Sequence, residues 1–203
     1  MAGNREFVNR RLHSLLGVIP IGLFVTQHLV VNHYVTGGPE SFNKAAGFME
    51  NLPFKIVLET VLIYLPLLYH AIYGLYIAFT SSSNINRFGT FRNWMYVLQR
   101  ITGVITLIFL AWHVWETRIA AAMGTEINYD MMHDILSSPF MFGFYLVGIL
   151  SAIFHFANGL WSFLVSWGIV VSPRSQLITT YVTIGVFVVL SFVGIQTLIA
   201  FVS

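Results

Sequence analysis

Five stretches of this chain contain no Asp, Glu, Lys or Arg: 12–39, 60–86, 101–115, 135–173 and 175–203. A helix crosses a bilayer with about 20 mainly apolar residues. The stretches therefore predict five transmembrane helices, near 11–33, 56–79, 94–116, 140–168 and 178–202. Only 9% of the 203 residues are charged, against roughly 25% in a soluble domain. No room remains for a separate soluble unit. The expectation is an all-α integral membrane protein, with residues 1–203 as a single domain in a lipid bilayer.

The few charges orient the chain. Arg5, Arg10, Arg11, Arg87, Arg92, Arg100 and Arg174 fall on one side; Lys44, Lys55 and Arg118 fall on the other. The excess of cations marks the cytoplasmic face. This predicts a multi-pass protein of the cytoplasmic membrane, N-terminus cytoplasmic and C-terminus outside. Of the acids, only Glu6 lies on the cation-rich side. The net charge of +2 gives no indication of nucleic acid. Cysteine is absent, so the chain's own thiolates cannot hold a disulfide or an iron–sulfur cluster. The first apolar run is too long for a signal-peptide core, so it is expected to stay as a span.

Four histidines lie in the apolar stretches: His28, His70, His113 and His155. Intramembrane ionisable residues are costly and mark functional sites. His28 and His70 are 42 positions apart, as are His113 and His155, so an offset of 85 carries the first two onto the second two. The same offset lays Tyr69-His70-Ala71-Ile72-Tyr73-Gly74 on Phe154-His155-Phe156-Ala157-Asn158-Gly159, and Phe24 on Phe109. Gly17 and Gly103 miss each other by one position. Internal duplication and convergence on one binding geometry both explain the pattern.

Depth pairs the histidines. At about 1.5 Å per residue, His28 and His113 lie near the outer ends of the first and third spans. His70 and His155, on spans running the other way, lie nearer the cytoplasm. The levels differ by roughly 10 Å. Two bis-histidine haems, one on His28 and His113 and one on His70 and His155, are the expected occupants. The first four spans then form a haem-binding four-helix bundle, and the fifth, without a histidine, stays peripheral to the site. Two axial imidazoles leave iron no open position, so such a haem transfers electrons.

Neighbouring residues fit this reading. Pro66 and Gly74 share a helix face with His70, Ser151 and Gly159 with His155, and Gly17 with His28. Small side chains there leave space for a macrocycle, or simply let helices approach. Arg10, Arg11, His13, Ser14 and Arg100 are candidate partners for propionates, with positive-inside anchoring as the competing role. His33 and His133 are expected to face solvent, and an aromatic belt accounts for most of Trp94, Trp112, Trp115, Trp161 and Trp167. Glu59, 11 positions before His70 and so on nearly the same face, is a candidate proton relay to a quinone. A charge complementing the helix dipole is its other reading. Glu116 and Arg118 are weaker candidates for the same outer site.

Three segments carry a resemblance. They are Arg5-Glu6-Phe7 with Arg10-Arg11-Leu12-His13-Ser14-Leu15-Leu16-Gly17, Trp112-His113-Val114-Trp115-Glu116-Thr117-Arg118, and Phe154-His155-Phe156-Ala157-Asn158-Gly159-Leu160-Trp161. They resemble the cytochrome b subunit of Bacillus-type succinate dehydrogenase. The likeness spans essentially the whole chain, with no departure at the four histidines. It implies a two-haem anchor of a succinate:menaquinone oxidoreductase, with a flavoprotein subunit and an iron–sulfur subunit on the cytoplasmic face. It further implies His70 and His155 on the proximal haem, His28 and His113 on the distal haem, and menaquinone reduction near the latter. The anchor of a nitrate reductase, hydrogenase or formate dehydrogenase shares the same physics. A haem-free membrane scaffold is the alternative from another class.

Overall fold

The computed structural model describes residues 2–203, and among them every regular element is helical. Five helical segments are long and apolar enough to cross a membrane: Asn4–Gly37, Lys55–Thr80, Phe91–Ala122, Pro139–Ser166 and Pro173–Val202. They are numbered here as the first to fifth spans. Each runs past the sequence-derived boundaries at one end or both. Helix propensity continues into the polar flanks, where charge ends the apolar signal but not the helix.

Local chemistry sets the ends. Pro139 and Pro173 open the fourth and fifth spans, where a missing amide proton costs nothing. Ser172 and Ser175 cap the fifth span reciprocally, each hydroxyl accepting the other's backbone N–H at 3.1 Å. Asn128 caps the short helix Tyr129–Leu136 by accepting from the Met131 amide at 3.0 Å. Another short helix, Pro39–Glu50, fills the loop between the first two spans.

Three spans are irregular. The first consists of two helices, Ala2–Val18 and Pro20–His33, interrupted at Ile19 because Pro20 has no proton for the ladder. A π-helical turn, Thr60–Tyr64, lies in the second span just before Pro66. Another, Trp115–Ile119, follows His113 directly in the third.

The spans alternate in direction. Trp167, past the end of the fourth, donates to Ser14 on the first at 3.0 Å. At the same end, the Arg92 guanidinium lies 3.6 Å from the Trp161 ring centre and bonds Thr180. At the opposite end Arg118 pairs with Glu59 at 2.8 Å. Apolar side chains such as Leu23, Ile72, Ile108 and Phe192 are more than half exposed on the outer faces. That surface suits lipid, the solvent of a membrane span.

The fifth span carries no histidine, yet it is well packed against the bundle. It lies along the fourth and touches the first. Thr179, Thr183, Ser191 and Thr197 are buried there, beside Leu198 and Phe201. The Thr179 and Thr197 hydroxyls donate to carbonyls four residues back, at 2.9 and 2.8 Å, which satisfies them away from water. His33 and His133 depart from expectation. Neither is fully exposed to solvent: His33 Nδ1 lies 3.2 Å from Thr197 Oγ1, and His133 Nδ1 lies 2.6 Å from the Phe201 carbonyl. Both fasten the C-terminal end of the fifth span.

Candidate functional site

The four histidines converge as two couples inside the bundle of the first four spans. The His28 and His113 ring centres are 5.9 Å apart at an interplanar angle of 75°, and those of His70 and His155 are 6.0 Å apart at 89°. These are the two pairs that depth predicts. A metal–imidazole bond is about 2 Å long and the ring centre lies about 1.1 Å behind the nitrogen, so two axial imidazoles sharing one metal hold their centres about 6.2 Å apart. Both couples stand within half an ångström of that spacing. Among the described residues no group of three His, Cys, Asp or Glu converges on a common metal position, so the donor sets are pairs.

The inner couple is held by a repeated device. His70 Nδ1 lies 2.9 Å from the His13 carbonyl, and His155 Nδ1 lies 3.0 Å from the Gln99 carbonyl. Each carbonyl accepts from Nδ1–H, which fixes the tautomer and leaves Nε2 free to ligate. Four residues beyond each carbonyl stands a glycine, Gly17 or Gly103. A Cβ on Gly17 would collide with the His70 ring, and one on Gly103 would stand 2.9 Å from His155 Cε1. The missing side chain opens a groove in which the imidazole reaches the main chain.

Gln99 secures the second device further. Its side chain donates to the His155 carbonyl at 2.9 Å and accepts from Asn158 at 2.7 Å. His13 stacks on His70 with centres 4.0 Å apart and planes 10° from parallel.

The outer couple is held differently. Phe24 lies against His28 at 5.4 Å and Phe109 against His113 at 5.5 Å, each phenylalanine four residues before its histidine. The offset of 85 thus aligns both ligand pairs and their aromatic neighbours. The one-residue mismatch between Gly17 and Gly103 falls in the interval where Ile19-Pro20 interrupts the first span; the third span is continuous there. His113 Nδ1 lies 3.2 Å from the Tyr145 hydroxyl, which donates to Glu116 at 3.2 Å.

The candidate propionate partners separate on inspection. Arg10 is taken by Glu6 at 2.8 Å, and Arg11 lies over the Phe7 and Trp167 rings. Ser14 donates to the Arg11 carbonyl and accepts from Trp167. His13 Nδ1 and Arg100 Nε, in contrast, are buried without a hydrogen-bond partner. Buried polar atoms are normally satisfied, and an acidic group reaching this inner level would satisfy both. Imidazoles paired at this spacing, glycine-opened grooves and two buried, unpaired nitrogens together fit a haem.

Glu59 is not a lone helix-end carboxylate. It pairs with Arg118, which also lies 3.4 Å from Glu50, and Glu50 pairs with Lys55. Gln99, Asn158 and Tyr145 are site residues that the sequence does not single out. An uncharged polar side chain in a span was the available signal for Gln99; for Tyr145, among nine tyrosines, there was none.

Five membrane helices, four of them enclosing two bis-imidazole couples, define a membrane cytochrome b-type bundle. The chain belongs to the succinate dehydrogenase/fumarate reductase transmembrane subunit family, whose model matches residues 82–194. It is 64% identical over 202 residues to the succinate dehydrogenase cytochrome b558 subunit of Bacillus subtilis (strain 168), and the match covers the full length of both chains.

Proposed function

We propose that this chain is the two-haem anchor that carries electrons from the iron–sulfur subunit of a succinate dehydrogenase to menaquinone. The observation that carries the reading is the pair of imidazole couples spaced for a shared axial metal. His70 and His155 would hold the proximal haem; His28 and His113 would hold the distal one. A bis-imidazole haem supplies one-electron transfer and offers no vacant position to a substrate. Succinate oxidation would accordingly belong to a flavoprotein subunit docked, with the iron–sulfur subunit, on the cytoplasmic face. The cation-rich end, where Arg11, Arg92 and Arg100 all lie, supports that face as cytoplasmic.

The test is co-purification in mild detergent followed by a pyridine haemochrome assay. The expected yield is about two b-type haems per chain, because two couples each fill both axial positions of one iron. One haem or none refutes the paired-ligand reading.

Glu59 is proposed to move protons at the outer end, with Arg118 holding its carboxylate in place. Glu59→Gln should keep both haems and keep succinate oxidation with an artificial dye. It should slow menaquinone reduction, since an amide cannot relay a proton. Unchanged menaquinone reduction would leave Glu59 as one half of an ion pair.

A further inference from the structure

The nitrogen that a ligating imidazole turns away from its metal governs how strongly the ring donates. His70 and His155 both give that nitrogen to neutral main-chain carbonyls. His113 gives it to the Tyr145 phenol. Tyr145 is 2% exposed, and its own proton points to Glu116 Oε2. Its oxygen is therefore left to accept from His113 Nδ1–H. The chain runs carboxylate, phenol, imidazole, and each bond polarises the next in a low dielectric.

The backbone builds this arrangement. Glu116 sits in the π-helical turn Trp115–Ile119, immediately after the helix that carries His113. Such turns concentrate at functional sites. Tyr145 bridges ligand and carboxylate from the fourth span. Phe109 closes the remaining sides, stacked on His113 and edge-on to Tyr145 at 5.2 Å.

We propose that Tyr145 and Glu116 are positioning residues of the outer couple, which aim His113 Nε2 at the shared metal and lower the reduction potential of the iron held there. The proposal rests on the reading that each couple holds a haem. Its sign follows from charge. A carboxylate-polarised imidazole donates more strongly, and stronger donation favours the ferric over the ferrous state.

The test is a potentiometric titration of the detergent-solubilised complex, followed by visible spectrum, with Tyr145→Phe, Glu116→Gln and the double variant. The component belonging to His70 and His155 is the internal reference. Tyr145→Phe should raise the midpoint of the His28/His113 component and leave the reference in place. Glu116→Gln should give a smaller rise, and should add little in the Tyr145→Phe background.

An unmoved or lowered midpoint in Tyr145→Phe overturns the proposal. So does a Glu116→Gln shift that is equally large without the phenol, because the carboxylate would then act through space. Should Tyr145→Phe fail to assemble, Glu116→Gln keeps the phenol and its packing, and an unmoved midpoint there overturns the proposal alone. A single component in the unmodified complex would instead overturn the two-haem reading, and this proposal with it.

Discussion

His155→Leu is expected to remove one of two haem components from the visible spectrum and to leave the other. His70→Leu should remove the same component, while His28→Leu and His113→Leu should remove its counterpart. The reason is the pairing across spans, at 6.0 Å for His70 with His155 and 5.9 Å for His28 with His113. Leucine approximates the ring's bulk and supplies no donor, so one axial bond is lost outright. Haem content should fall from about two to about one per chain, since an iron with a single imidazole is poorly retained. The measurement needs membrane-inserted protein, because loss of a buried ligand also weakens assembly. If His28→Leu and His70→Leu removed the same component, the pairing would be wrong.

Gly103→Val should deplete the component held by His70 and His155, although neither histidine is changed. A Cβ there stands 2.9 Å from His155 Cε1 and 3.1 Å from Nδ1. The ring must leave the groove and give up the Gln99 carbonyl. Overpacking of this kind costs about 1–3 kcal/mol, which corresponds to roughly 5- to 150-fold weaker retention of the proximal haem. Gly17→Val should do the same through His70. Gly185→Val is the control: nothing stands within 4 Å of its Cβ position, so both components should persist. Full proximal occupancy in Gly103→Val would show that the groove does not hold the ring.

Much of this was legible beforehand, because a membrane simplifies the code. Charge-free runs place the five spans, and alternating direction plus residue count pairs the histidines by depth. What could not be read is what depends on the third dimension of packing. The acceptors for His70 and His155 are main-chain carbonyls, and any residue type has one. Only the glycine four positions on betrays which carbonyl is open, and Gly17 and Gly103 look misaligned until the Ile19-Pro20 interruption is placed between Gly17 and Phe24. Tyr145 was hidden because a tyrosine in an apolar run reads as bulk. The ion pair of Glu59 with Arg118 joins residues 59 positions apart, beyond the reach of helical periodicity. His33 at a helix end and His133 in an acidic loop read as solvent-exposed, and their partners, Thr197 and the Phe201 carbonyl, lie 164 and 68 positions away.

The crossed arrangement of cradles and couples has a consequence for assembly. Each half, residues up to Thr80 and residues from Phe91, grips its own inner imidazole: His13 and Gly17 hold His70, and Gln99 and Gly103 hold His155. Yet every couple takes one imidazole from each half. Neither half owns a complete binding place, and neither leaves its histidines slack while it waits. The site is an interface between two prearranged partners that happen to share a chain. Cofactor capture would therefore act as a coincidence detector, reporting that both halves have inserted, in register and in the same orientation, before the bundle is sealed.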